Sequence, residues 1–398
     1  MVSNIRQQFN AAFTKEIYQN YLTDLHSKHP GAIEFRIAET PIFFDKSFTN
    51  KILSACESIV DVITQPNFNE LTKHAIPTNF EVPNQNNIAH FIAFDFGICI
   101  NEAGEIEPQL IEMQGFPTLF GFQVLFNELT QKHFSIPNNY SAFFNGFNKE
   151  TYLQFFKDIV VGDTDPKNVV LLEILPHEQK TRIDFYCTQD YLQIPIVCIT
   201  ELIQEGNQLF YMNEGEKTRI LKIYNRVIFD DLQQQSPEIQ AKGKILLEDL
   251  EVQWLPHPNW FYKISKYTLP FIQHPYVPTT TFLHQIKTLP TDLENYVLKP
   301  LFSFAGQGVV IDVSKADIDA VKDPENWILQ KKVNYANIIQ TPDIPAKAEI
   351  RIFYFWKDGD KRPKATFNLA RLSKGKMIGV RYNADKEWVG GSIAYFEK

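Results

Sequence analysis

Apolar residues recur at every fourth position near the N-terminus, at Phe9, Phe13, Ile17 and Tyr21. That spacing lines one face of a 3.6-residue period and predicts helix over roughly the first 35 residues. The stretch 51–65, KILSACESIVDVITQ, repeats the pattern. A loop rich in Pro and Asn at 75–88 leads into two strand-like apolar runs, 90–100 and 108–113, joined by NEAGEIEP. The Ala-Gly in that connection supplies a turn, so the two runs are predicted to pair as a β-hairpin. Helical patterning returns from Gly115 to Leu129 after a Pro-containing start.

From 168 to 230 the pattern changes to buried strands (NVVLLEIL, IPIVCIT, LKIYNRVIF) alternating with short helical stretches. Alternation of this kind predicts an α/β layer with parallel strands. A new block begins near Trp254. YVLKPLFSFAGQGVVIDV at 296–313 reads as strand, glycine-bearing turn, strand, and DPENWILQKKV at 323–333 as another strand. Residues 349–373 read as a hairpin turning at Asp358-Gly359-Asp360. The expected division is 1–160, a helical region plus the acidic hairpin; 161–253, the α/β region; 254–335, a small lobe; and 336–398, a C-terminal lobe.

Composition narrows the class. The 398 residues are 44% hydrophobic and 22% charged, an ordinary globular mixture that excludes a disordered chain, a collagen-like fibre and a coiled coil. The formal charge of −8 gives no electrostatic footprint for nucleic acid. With 33 Phe and only 17 Gly, the chain should build aromatic cores and be economical with glycine in any phosphate loop. The N-terminal segment lacks the apolar stretch of a signal peptide, and the longest apolar runs are shorter than the ~20 residues a membrane span needs. Cys56, Cys99, Cys187 and Cys198 form no CxxC pair. The expectation is a cytoplasmic protein with reduced thiols.

Familiar chemistry is absent. There is no HExxH, no GxSxG, no GxxxxGK[ST] and no GxGxxG. Ser373-Lys374-Gly375-Lys376 is read as a hairpin turn with solvated lysines. Two segments stand out instead. Lys299 ends an apolar strand before Pro300, and the turn through Ser303, Phe304, Ala305, Gly306, Gln307 and Gly308 follows. Small residues there permit positive φ and an anion-binding row of N–H groups, with the lysine as a point charge; the plain alternative is a hairpin with an exposed lysine. In the predicted acidic hairpin, Asp95 and Glu112 interrupt apolar strands, where an ionised carboxylate is costly unless paired or metal-bound. Glu112 and Gln114, two apart, share a strand face and could offer oxygens to Mg²⁺. Alternatively they face water on an edge strand.

VLKPLFSFAGQGV resembles the phosphate-lid hairpin of the ATP-grasp superfamily, and Asp95 with the Glu112-Met113-Gln114 segment resembles the metal motif of its circularly permuted branch, the glutathione synthetase-like and glutathionylspermidine synthase-like enzymes. The order agrees, with Glu112 and Gln114 ahead of Lys299. Two departures are plain: Gln114 stands where the family has Asn, and Ser303 or Phe304 replaces the acid usual in the flap. The resemblance covers about 90–135 and 220–398. It implies an α/β (α+β) fold with a mixed central sheet and a small antiparallel ATP-lid lobe.

The resemblance also implies roles. Lys299 would hold ATP phosphate oxygens, with Lys266, preferred over Lys263, as a second lysine. Ser303, Ala305, Gly306, Gln307 and Gly308 would form the lid. Gln330, Lys331, Lys332 and Val333 would form the linker that meets adenine. Glu112 and Gln114 would hold Mg²⁺, with Glu349 in reserve. Arg226, on the strand KIYNRVIFDD, would face the substrate cleft or else pair at the surface with Asp230 or Asp231. Arg351, Arg371 and Arg381 are candidates for gripping phosphate or carboxylate bidentately, with at least one of the three only structural; Arg226, Arg351 and Arg381 form the expected catalytic set. The implied activity is an ATP-dependent carboxylate–amine or carboxylate–thiol ligase working through an acylphosphate on small carboxylate and amine substrates, with peptide-like ones among the candidates. The alternatives are a non-catalytic nucleotide-binding relative, a small-molecule kinase on the same fold, and an α/β interaction protein without a nucleotide site.

Overall fold

The computed structural model describes residues 2–302, 308–375, 378, 383 and 385–398. At its centre five antiparallel strands run in the order Gly390–Ser392, Lys364–Ser373, Lys347–Phe355, Phe91–Ile100 and Ile106–Gln114. The expected acidic hairpin and the hairpin through Asp358 are therefore neighbours in one sheet, joined between Phe91–Ile100 and Lys347–Phe355. Phe94, Phe96, Ile98, Ile350 and Ile352 point to one side, into a core shared with helix Lys46–Ile63. That helix buries Phe48, Ile52, Ala55, Ile59 and Ile63 at helical spacing, and the Asp45 carboxylate accepts from the Phe48 N–H to cap it. Phe91, Ala93, Phe353, Phe355 and Phe367 point to the other side, against helix Phe120–His133.

Four parallel strands form the α/β layer, ordered Gln253–Leu255, Lys222–Asn225, Val169–Glu173, Ile196–Cys198. Helix Arg182–Leu192 makes the first crossover. The second is not helical: Ile203–Glu205, Gln208–Asn213 and Glu216–Ile220 form an antiparallel meander. Its tight turns use Gly206 at φ 62° and Glu214-Gly215 at φ 49° and 89°, the left-handed geometry that closes hairpins. The small lobe is an antiparallel sheet ordered Thr280–Phe282, Trp327–Lys331, Tyr296–Pro300, Val310–Ile311.

Three local expectations need correction. The first helical stretch is two helices, Ser3–Ala12 and Lys15–Lys28, because Phe13 turns extended and the Thr14 hydroxyl accepts from the Ile17 N–H to start the second. The helix expected from Gly115 begins at Phe120 instead, where the buried Asp184 carboxylate accepts the N–H groups of Gly121 and Phe122. Residues 115–119 are left as a turn against the central sheet. Lys374, read as solvated, has its side chain buried against Asp343. Among the described residues no helix is long and apolar enough to cross a membrane.

The 115–119 turn is held at its start by Gly115, whose N–H donates to the Ile264 carbonyl at 2.8 Å. A Cβ on Gly115 would lie 2.5 Å from the Trp260 carbonyl oxygen, a backbone atom that cannot step aside. Gly115→Ala is expected to destabilise the chain by about 1–3 kcal/mol, the usual cost of overpacking. Urea denaturation measures it, and an unchanged midpoint would contradict this close approach.

Candidate functional site

Strand register gathers the charged residues. Asp95 lies opposite Glu112 on one side and Arg351 on the other; Gly97 lies opposite Glu349, and Glu349 opposite Arg371. Directly opposed residues share a face. These side chains therefore continue the face that carries Phe91, Ala93 and Phe353, beyond the end of the aromatic core.

Asp95 is 1% exposed and would be costly there if unpaired. Arg351 grips it bidentately, Nε to Oδ1 and Nη2 to Oδ2, both at 2.5 Å. Arg351 Nη1 also donates to the Thr118 hydroxyl at 2.9 Å. The Gln114 amide, oriented with its oxygen toward Arg351, accepts from Nη2 at 2.7 Å and Nη1 at 3.0 Å. All three guanidinium nitrogens are thus engaged within the protein. Arg371 Nη2 donates to Asp95 at 3.0 Å and to Glu349, whose other oxygen accepts from the Tyr335 hydroxyl at 2.7 Å. Desolvation opposes the Arg371 charge, but Glu349, Asp95 and Glu112 outweigh it and push its pKa up. The Arg371 side chain stays 40% exposed, and its buried Nε has no partner. Tyr335 fits because Gly97 has no side chain; a Cβ there would stand 2.7 Å from the tyrosine ring.

Glu112 is 48% exposed and makes only a long contact to Arg351, 3.8 Å. Desolvation by the protein around it, then Asp95, push its carboxyl up against the pull of Arg351. Two lysines come within electrostatic range of this carboxylate from the small-lobe side. Lys299 Nζ donates to the Ile111 carbonyl at 3.3 Å and to Gln330 Oε1 at 2.6 Å. Burial lowers its pKa while Glu112 and Glu349 oppose the shift. Lys266 opens a short 3₁₀ segment, Lys266–Phe271. Burial pulls its ammonium down to about 8, with Glu112 opposing and Lys299 adding to the shift. Lys263 lies apart, with its ammonium on Asn69 at 3.0 Å.

Arg226 is 6% exposed, so the surface pairing with Asp230 or Asp231 is not what it makes; it donates to the Thr118 carbonyl at 3.0 Å between the rings of Phe116 and Phe185. Gln330 is buried beside Lys299, with its Nε2 unpartnered. The N–H groups of Lys331 and Lys332 donate to Thr279 and Asn295 carbonyls within the lobe, and the Lys332 ammonium pairs with Asp312. Gly308 adopts φ 71°, where a Cβ would stand 3.1 Å from the Pro300 ring. Ser303, Ala305, Gly306, Gln307 and Arg381 lie outside the described residues.

Asp95, Gln114 and Glu349 spend their oxygens on arginines and a tyrosine. Among the described residues no three His, Cys, Asp or Glu side chains are grouped to hold a metal ion. The residues outside the description contain none of these four types. The donor set therefore fits a cation that arrives with phosphate oxygens and needs one protein carboxylate, Glu112, which is a usual arrangement for Mg²⁺.

No family model matches the chain, and no curated protein matches its sequence. A solved structure does: a glutathione synthetase-like effector from Globodera pallida in its apo form, aligned over 98% of both chains with a TM-score of 0.59 at 10% identity. The two share a fold. At that identity the likeness speaks for architecture, and it agrees with the mixed α/β reading of the sequence.

Thr118 and Tyr335 were not legible as site residues, since neither lies in a chemical motif; Thr118 stands in a stretch that reads as helix. The lowered Lys266 pKa has a measurable consequence. Between about pH 8 and the ordinary lysine value of 10.5, the unfolded chain keeps a proton that the folded chain has lost. This group therefore makes folding more favourable as pH rises through that window. Lys266→Met is expected to flatten the rise in urea midpoints between about pH 7 and 10. Identical slopes in variant and parent would contradict the assignment.

Proposed function

We propose that this chain is an ATP-dependent ligase of the carboxylate–amine or carboxylate–thiol class, working through an acylphosphate on an ATP-grasp-type architecture. One observation carries the reading. Lys299 and Lys266, from the small lobe and its lead-in, converge on Glu112 of the central sheet beside an arginine that retains donor capacity. Two ammonium groups at partly buried positions are a phosphate-binding arrangement, and burial lowers the pKa of both against the pull of Glu112.

In this reading Lys299 and Lys266 bind and orient the phosphates, and the adenine-facing N–H falls to Val333, because those of Lys331 and Lys332 are already used. Arg371 holds the acceptor carboxylate through the part of its guanidinium not spent on Asp95 and Glu349. Glu112 is the side chain that would hold Mg²⁺ brought in with the nucleotide, the ion supplying neutralisation of charge on the phosphates. Arg351 holds Asp95 and Gln114 in place, which preorganises the floor of the site.

A second reading, a non-catalytic nucleotide binder, draws on the same geometry: Gln114, Asp95 and Glu349 are all occupied by protein donors, and the flap acid is missing. Thermal shift separates the possibilities. Saturating ATP with Mg²⁺, at about 100 times Kd, should stabilise the chain by about 2.7 kcal/mol, a rise of a few degrees, and Lys299→Ala should abolish the rise with little change in the unliganded Tm. ADP release in a carboxylate-and-amine panel then supports the ligase; a shift without turnover supports the binder. No shift at millimolar ATP would overturn both.

A further inference from the structure

We infer that Arg226 is a positioning residue rather than a ligand-gripping one: it clamps the turn Gly115-Phe116-Pro117-Thr118 from behind and so holds the Thr118 hydroxyl against Arg351. The inference rests on the proposed reading only in calling the Arg351 cluster a ligand site; the geometry itself does not depend on what binds there.

The observations form one chain. Arg226 follows the parallel strand Lys222–Asn225 and is buried, so no dissolved ligand meets it. Its ring neighbours are Phe116, inside the turn, at 5.6 Å and Phe185, on helix Arg182–Leu192, at 5.2 Å. Its Nη1 donates to the Thr118 carbonyl, while the hydroxyl of the same Thr118 accepts from Arg351 Nη1. One threonine thus joins two arginines that lie on separate sheets. The turn is fixed at both ends. Gly115 donates to Ile264 and packs against Trp260 in the segment that leads to Lys266, and Asp184 accepts the N–H groups of Gly121 and Phe122 where the helix begins. Contacts at Gly115, at Thr118 and at the start of the following helix leave the turn little freedom. The Thr118 carbonyl accepts from Arg226 Nη1 and from the Phe120 N–H at 2.9 Å, and Arg226 is the side chain that anchors it from outside the turn.

The physical consequence is a division of labour among arginines. Arg351 has three nitrogens occupied, two of them by Asp95. Its third depends on Thr118, and Thr118 depends on Arg226. A change at Arg226 should therefore be felt at the Arg351 guanidinium although the two do not touch. A purely structural role for Arg226 predicts lower stability with no local effect at Arg351.

The test reads the Arg351 Nη1–H proton that donates to the Thr118 hydroxyl, by hydrogen exchange in the ¹⁵N-arginine-labelled full-length chain, its resonance assigned by its absence in Arg351→Lys. In Arg226→Met and Thr118→Val, exchange of that proton is expected to quicken roughly tenfold, the scale of losing one hydrogen bond to a charged group. Thr118→Ser, which keeps the hydroxyl, is expected to exchange like the parent. Unchanged exchange in folded Arg226→Met and Thr118→Val overturns the inference. If Arg226→Met does not fold, the Thr118→Val and Thr118→Ser pair still decides whether the hydroxyl matters, and quickened exchange in Thr118→Arg, which places a bulky cation in the turn, must then accompany that in Thr118→Val; exchange unchanged in both overturns it. Because the readout needs no nucleotide, a chain that fails to bind ATP would sink the ligase and binder readings and leave this result standing.

Discussion

Asp95 is a carboxylate buried in the strand Phe91–Ile100 of the central sheet, and its pairing with Arg351 is the constraint on which the site depends. Removing one member of a buried pair costs about 3–5 kcal/mol because the other charge is left uncompensated. The strand alternation that makes an apolar core from Phe91 and Ala93 delivers Asp95 to the same face two residues later. A single sheet face is therefore aromatic core at one end and charged site at the other. Arg351 reaches Asp95 from the neighbouring strand, and Thr118, Gln114 and Arg371 are arranged around that pair. Energy from the aromatic core is what makes so dense a charge cluster tolerable.

The balance of charge in the cluster bears on its chemistry. Asp95, Glu112 and Glu349 face Arg351, Arg371, Lys266 and Lys299, and Asp230 acts on Lys266 as well, so the two signs of charge are matched within the cluster. Glu112, half exposed, makes only the long contact to Arg351 and is the carboxylate least engaged by protein donors.

Much of the architecture was legible because period and length speak directly. The acidic hairpin, the parallel strands after 168, the small lobe around Lys299 and the hairpin at Asp358-Gly359 all follow from alternation and turn residues. Local competition defeated the pattern in places. Thr14 offered a cap that split the first helix, and positive-φ turns at Gly206 and Gly215 replaced an expected helical crossover. Glu112, Gln114, Glu349 and Lys299 stand at strand positions that alternation makes legible, whereas the bond network around them is not. It depends on contacts between residues more than 200 positions apart, such as Arg351 with Asp95 and with Thr118. Tyr335 enters only because Gly97 leaves space for its ring, which no linear motif encodes.

The account's central claim is that phosphates bind between the small lobe and the central sheet. The most direct measurement is a crystal structure of the chain with a non-hydrolysable ATP analogue and Mn²⁺, the ion located by its anomalous signal. The account predicts phosphate density within hydrogen-bonding distance of Lys299 and Lys266 and an anomalous peak beside Glu112. Nucleotide density elsewhere, or none at saturating concentration, would contradict it.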